Sequence, residues 1–424
     1  MFEKYDAYKD SELPSFGSVP IHWEIVPLCS ITTLKSITNV VNEELLSVYL
    51  DKGVIRFDDV TEKRTNVTSL DLSKYQLVEE GDFVLNNQQA WRGSVGVSIY
   101  RGIVSPAYLV LKLSPKVDAK FANYFFRNSA MVSQYLINSK GVGTIQRNLY
   151  WQHLKRSDVV LPPREEQIEI AEFLNQKTAE IDQAIAIKEQ QIALLNERKQ
   201  IVIQKAVTQG LDPNVTMKDS GVEWIGQIPE HWEIIRSKFL FTQRKENSRK
   251  DDVQLSATQA YGVIPQEEYE KRTGKSVVKI SLHLDKRKRV HLNDFVISMR
   301  SFQGGLERAW AEGCIRSSYV VLKPLKPIDP DYYGYLFKTP MYIKALQNTS
   351  NFIRDGQDLN FGNFSQVDLF IVPLSEQKQI VEYIKSQLGD FEKHLELLNQ
   401  QIEKLKEYKT TLINDAVTGK IKVA

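Results

Sequence analysis

Cysteine is scarce in this chain: Cys29 and Cys314 are the only two in 424 residues, far apart and at non-matching points of the repeat described below. That excludes a disulfide framework and the thiolate sets of a zinc site, and it fits a reducing compartment. The six histidines are scattered without ligand spacing, so no metal site is expected. Charge of one sign is lacking too. The 55 Lys and Arg nearly balance the 53 Asp and Glu, for a net +2, so any nucleic-acid surface must be a local patch. No apolar run approaches a membrane span. The first residues carry Glu3, Asp6 and Asp10 with no apolar stretch, unlike a signal peptide. The expectation is a cytoplasmic protein with no membrane partner.

Catalytic signatures are also missing. The Asn/Asp-Pro-Pro-Tyr element of an amino-methyltransferase is absent; the one Pro-Pro pair, Pro162-Pro163, is followed by Arg164. Thr273-Gly274-Lys275-Ser276 ends like a phosphate loop, but Tyr269 stands where the first Gly belongs. Gly141-Val142-Gly143 is too short for a nucleotide fingerprint, and Asp329-Pro330-Asp331 lacks nuclease spacing. No catalytic residue and no cofactor are expected in this chain, which reads as a binding protein.

What is present is heptad order. Residues 165–209 hold no Gly or Pro and are rich in Glu, Gln, Lys, Leu and Ile. One apolar row is Ala171, Thr178, Ile185, Ile192, Lys199, Ala206; the other is Leu174, Ile181, Lys188, Leu195, Val202. Alternating spacings of three and four make an a/d seam, and a helix of this length would span about 65 Å. Residues 376–418 repeat the pattern with Val381, Leu388, Leu395, Ile402, Lys409, Ala416 and Ile384, Phe391, Leu398, Leu405, Leu412. Two matched runs in one chain point to an internal antiparallel pair. Lys199 and Lys409 at equivalent a-positions read as a register device. Gly389, with no Gly counterpart in the first run, should weaken the second helix. The outward residues Ile170, Phe173, Ile203, Ile380, Tyr383 and Ile413 are expected to need a partner.

The repeat reaches beyond the helices. Lys9-Asp10-Ser11, Gly17, Pro20 and His22-Trp23-Glu24 recur as Lys218-Asp219-Ser220, Gly226, Pro229 and His231-Trp232-Glu233. Pro163, Glu166 and Gln167 match Pro373, Glu376 and Gln377 at the helix starts; Ala206-Val207-Thr208 matches Ala416-Val417-Thr418 at the ends. Each unit is a lead-in, a globular segment and a heptad helix. In the first globular segment, β-branched runs at 45–50, 83–86, 95–100, 108–113 and 159–161 read as strands, and 119–129 and 131–139 as helices. The second repeats the plan less closely: Asn293-Asp294-Phe295-Val296 answers Gly81-Asp82-Phe83-Val84. The expected fold class is α+β, two globular α/β domains separated by two long helices in an antiparallel coiled coil, with an internal pseudo-two-fold. The expected divisions are 1–163 first domain with its lead-in, 164–210 first helix, 211–374 linker and second domain, and 375–424 second helix and tail.

Polar loops rich in Arg, Gln, Asn and Gly fall at matching places in both copies. Gln88, Gln89, Trp91 and Arg92, with Thr144, Gln146, Arg147 and Asn148, are the first set; Arg300, Ser301 and Gln303, with Arg354, Gln357 and Asn360, are the second. Arg reads guanine and Asn or Gln reads adenine, while Gly allows close backbone approach. A basic run that includes Arg272, Lys275, Arg287 and Lys288 suits phosphate contacts.

These features together resemble the specificity subunit of a type I restriction–modification system. The lead-in from Lys218 to Glu233, the Pro-x-x-Glu-Gln helix starts at Pro163 and Pro373, the Ala-Val-Thr helix ends and the stretch from Lys288 to Gly305 carry the resemblance. The first copy departs from it where Asn87-Gln88-Gln89-Ala90-Trp91 replaces the Arg-Ser-Phe-Gln type. The resemblance implies two target recognition domains, each reading half of a split asymmetric double-stranded DNA target. It implies helices, built on Leu174, Ile181, Ile185, Ile192, Leu195, Lys199, Ile384, Leu395, Leu398, Ile402, Leu405 and Lys409, that set the half-site spacing and dock modification subunits, two per specificity subunit. S-adenosylmethionine, ATP and Mg would sit on the modification and restriction (motor-nuclease) subunits. The alternative is a non-catalytic coiled-coil scaffold with two peptide-binding heads, which keeps the helices but does not need the matched loops.

Overall fold

In a computed structural model, the described residues are 2–50, 52–59, 71–142, 146–278, 284–349 and 359–423. The chain divides into two compact units, residues 1–188 with 399–424, and residues 189–398. Each unit contains one globular segment and a piece of each long helix. The helices run Arg164–Gln209 and Leu374–Val417 without a break.

In the first unit, four antiparallel strands lie in the order Thr32–Lys35, Tyr108–Leu113, Phe83–Asn86, Val95–Val97. Helices Ala119–Arg127 and Ser129–Ile137 cover one face, N-capped by the side chains of Asp118 and Asn128. Phe83 stacks on Phe126 at 4.1 Å between ring centres, and Phe121 and Phe125 continue the cluster. The second unit repeats the sheet as Phe241–Gln243, Val320–Pro324, Phe295–Ile297, Glu307–Arg308. Its helices Pro330–Leu336 and Pro340–Asn348 each start on a Pro, where the missing N–H costs nothing. A helix, Gln266–Thr273, follows the hairpin Leu255–Thr258 with Gly262–Pro265. The strands expected at 83–86 and 108–113 coincide with those observed, and the helices expected at 119–129 and 131–139 differ from them by two residues at some ends.

A buried ion pair recurs in the two sheets. Lys35 donates to Asp82 at 2.6 Å, and Asp82 also accepts the Glu79 backbone N–H at 2.8 Å. Arg244 holds Asp294 through two nitrogens, at 2.6 and 2.9 Å, and Asp294 accepts the His291 N–H at 2.8 Å. Each aspartate closes the turn that launches the strand leading to a candidate reading loop.

The helices meet antiparallel within each unit. In the first, Asp182 accepts from Lys409 at 2.6 Å and Gln401 from Lys188 at 2.6 Å, so the partners run in opposite directions. Leu174 and Ile181 share a core with Leu412 and Ala416. In the second, Ala206 and Val207 share one with Val381 and Ile384. Every position of the two heptad rows is buried or half-buried, and the middle stretch, with Ile192, Leu195, Leu395 and Leu398, is only half-buried because a two-helix pair leaves the seam's flanks open. Lys409 therefore lies on that flank, ion-paired to Asp182, rather than in an apolar layer. The outward face is corrected in part. Ile170 and Ile380 are fully buried in the cores of their own units, because near each globular segment the helix is covered on a second side as well as along its seam. Phe173, Ile203 and Ile413 pack partly against those cores, while Tyr383 stays exposed.

Candidate nucleic-acid interface

The first candidate surface forms where Phe83–Asn86 ends. The chain turns through a short 3-10 segment, Ala90–Arg92, anchored by buried Ala90. Gly93, at φ 100°, returns it to Val95–Val97. Gln88, Gln89 and Arg92 are exposed at this turn and Trp91 is half-buried. The Trp91 indole N–H donates to the Gln88 carbonyl at 3.0 Å, which holds the ring. The Arg92 guanidinium lies 4.6 Å from the ring centre and that of Arg147 lies 5.9 Å away. Arg147 comes from the hairpin Ser139–Val142 with Gln146–Leu149, opposite Gly141, while Asn148 faces Lys140. The Leu149 N–H ties this hairpin to the turn through the Asn87 carbonyl at 2.9 Å. Two loops separate in sequence thus meet as one aromatic ring flanked by two guanidiniums. Arg92 also lines a cleft of about 1420 Å³ with Lys120, Arg127 and Asn414.

In the second unit, Phe295–Ile297 leads to exposed Met299 and Arg300, then to a short helix, Ser301–Gly304. Gly305, at φ 73°, has room for no side chain: a Cβ would sit 1.9 Å from the Phe337 carbonyl oxygen. Arg300 and Gln303 are exposed. Ser301 is 1% exposed, with its hydroxyl accepting the Ser298 N–H at 2.9 Å, so it closes the turn from inside and is not a surface contact.

The basic run is also corrected. Lys288–Val290 is a strand, so alternate side chains face inward. Arg287 is 5% exposed and donates to Gln254 at 3.2 Å; Arg289 pairs with Asp252 at 3.1 Å. Lys288 donates to the Tyr319 carbonyl at 2.6 Å, and burial lowers its pKa from the ordinary lysine value. Lys286 and Lys275 remain exposed. Arg272 pairs with Glu268 and lies 5.1 Å from the Tyr261 ring centre. Asn360 is exposed, but its side chain accepts the Asn363 N–H at 3.1 Å in a capping box that starts Phe361–Gln366, a structural role. Thr144, Arg354, Gln357 and the side chain of Gln146 lie outside the described residues.

Sequence reasoning missed Trp310. It is 53% exposed, and the Arg308 guanidinium lies 4.2 Å from its ring centre. Arg308 is itself held by Asn293, at 2.6 Å and 3.0 Å, and by Asp331. The available signal was an Arg and a Trp two residues apart. The two units therefore share a frame and differ in the aromatic and basic groups they expose. Among the described residues no group of three or more His, Cys, Asp or Glu could hold a metal ion, and no helix is long and apolar enough to cross a membrane.

The family model for the type I restriction modification DNA specificity domain matches this chain twice, over residues 20–197 and 229–407. Among curated relatives, the type I restriction enzyme MjaVIII specificity subunit of Methanocaldococcus jannaschii is 24% identical over 437 residues, covering 96% of this chain and 94% of that one. Two solved structures share the fold. A chain from work on complex assembly and conformational transition of the type I R-M system matches with a TM-score of 0.62, 14% identity, and coverage of 94% of this chain and 98% of that chain. The HsdS subunit from Thermoanaerobacter tengcongensis matches with a TM-score of 0.52, 15% identity, and coverage of 95% and 98%. The chain belongs to the type I restriction–modification DNA specificity family and is a specificity subunit with two target recognition domains, one per repeat. Subunits of this kind are the non-catalytic part of a multisubunit complex. Membership sets aside the scaffold with two peptide-binding heads.

Proposed function

We propose that each globular segment reads one half of a split, asymmetric double-stranded DNA sequence. The paired helices set the spacing of the halves and dock two modification subunits. Those subunits hold S-adenosylmethionine and methylate DNA; a restriction subunit that uses ATP and Mg joins for cleavage. The reading surfaces are the Trp91, Arg92 and Arg147 cluster in one repeat and the exposed turn of Arg300 and Gln303 in the other. The recognition domains are built around 1–163 and 211–374. The observation that carries this reading is one frame, down to the buried Asp82 and Asp294 pairs, presenting different exposed side chains at matching turns, Gln88, Gln89 and Arg92 in one repeat and Arg300 and Gln303 in the other. Guanidiniums suit phosphates and guanine edges, and exposed rings suit bases.

The test is genome-wide methylation mapping in cells with and without this gene, co-expressed with modification subunits. A two-part motif that disappears with the gene is expected. A methylation pattern unchanged by the gene overturns the reading. The spacing role has its own test. Ala206 and Val207 are buried, so length is best added in the half-buried middle of the helices, one heptad in each. The unspecified gap should lengthen while the letters of both halves stay the same.

A further inference from the structure

One cavity in the second unit borders the Arg300 reading loop. It measures about 590 Å³ and is lined by Arg300 and Ser298 at its reading-loop side, by Tyr261 and Tyr319, and by Arg287 and Glu307. Glu307 is 1% exposed. Lys338 donates to its Oε1 at 2.7 Å, but its Oε2 is buried with no hydrogen-bond partner. Arg287 likewise keeps a buried Nε–H with no acceptor, and among the described residues no ion pair joins the two. One cavity thus holds an unused acceptor and an unused donor. Both are costly to leave unmade in a buried place. Burial raises the Glu307 pKa and the Lys338 ammonium opposes that rise.

We infer that this cavity receives one amino-bearing nucleobase turned out of the duplex, its exocyclic amine donating to Glu307 Oε2 and a ring nitrogen or carbonyl accepting from Arg287. This rests on the reading of DNA by the second repeat. A nucleobase edge offers a donor beside an acceptor, which is what the two unused groups require. Carboxylates accept from the cytosine amine in known recognition chemistry, and aromatic side chains stack turned-out bases. Tyr261 and Tyr319 provide that stacking surface. Arg300, an exposed residue of the lining, is placed to hold the neighbouring backbone.

The test uses the full chain with its modification subunits. Methylation mapping of Glu307→Gln should relax one position of one half-site by at least ten-fold in selectivity and leave the other half unchanged. Lys338→Arg, which keeps a cation on the carboxylate, should leave every letter unchanged. Duplexes carrying 2-aminopurine or pyrrolo-cytosine at each position of that half, the methylated base excepted, should brighten at one position on binding, and Glu307→Gln should abolish the rise. Cytosine and adenine are separated by which probe responds. Unchanged letters in Glu307→Gln, the same relaxation in Lys338→Arg, or no brightening overturns the pocket. So does a loss of complex assembly without a change of letters, which would assign the cavity to a partner protein. If the unaltered chain directs no two-part motif, the DNA-reading assignment falls first, a result distinct from a two-part motif that Glu307→Gln leaves intact.

Discussion

Trp232 donates its indole N–H to Glu376 at 3.1 Å, and His231 meets the same carboxylate at 2.8 Å. The first repeat matches: Trp23 and His22 meet Glu166 at 3.1 and 2.8 Å, and Tyr5 adds its hydroxyl. The His-Trp lead-in and the Glu of the helix start are therefore two ends of one clasp. The Gln that follows is a second clasp. Gln167 accepts the Asp118 N–H at 2.9 Å and donates to the Pro162 carbonyl at 2.8 Å; Gln377 does the same with Asp329 and Val372 at 2.7 and 2.8 Å. Asp118 and Asp329 cap the first helices of the globular segments, so each long helix is bonded to its own domain at its first turn.

Trp232→Phe should lower stability by about 2 kcal/mol or more. It removes a hydrogen bond to a charged group and leaves space in a fully buried site. Urea unfolding of the full chain would show the loss, and Trp23→Phe should cost a similar amount.

Asp82→Asn and Asp294→Asn should each cost about 1.5–3 kcal/mol, because each removes the buried carboxylate from Lys35 or Arg244 and leaves only the more exposed partner, Glu79 or Glu246. Replacing both partners with apolar residues should cost less than replacing one. A double-mutant cycle by thermal unfolding measures the difference.

Glu246 gives an acid signature. The hydrogen bond from His291, and then that from Arg244, lower its pKa from 4.5 to about 2. A carboxyl lowered on folding stabilises the native state above its ordinary value, and that contribution is lost as pH falls from about 4.5 towards 2. Glu246→Gln should flatten the stability profile in that window. Unfolding midpoints measured from pH 6 to 2 check this.

Gly389→Ala should stabilise the second long helix by about 1 kcal/mol, the difference in helix propensity. A Cβ there meets nothing within 4 Å. Thermal unfolding should show a higher midpoint; a lower one would mean that the site has no room for a methyl group.

The helices and the duplication were legible because a seam of period three and four, repeated after about 210 residues, has few other readings. The Lys35–Asp82 pair was not legible. Its partners lie far apart in sequence, and the second repeat uses Arg244 in place of Lys. The basic run misled for a local reason: Arg287, just before a strand, and Arg289, within it, are buried against Gln254 and Asp252, which their charge did not show. Ser301 misled in the same way, a polar residue closing a turn from within. Trp310 was overlooked because a single ring beside a strand end carries no period. The loops themselves were found, since Gly and polar residues mark turns whatever their role, but which side chains face outward follows only from the fold.

The two repeats are proposed to read separate halves of the target. Methylation-motif mapping of Arg300→Ala beside Arg92→Ala, each at matched expression with the modification subunits, tests it most directly. Each variant should relax letters in one half of the two-part motif, and the two variants should affect different halves. Relaxation of the same half by both, or of both halves by either, would refute separate reading.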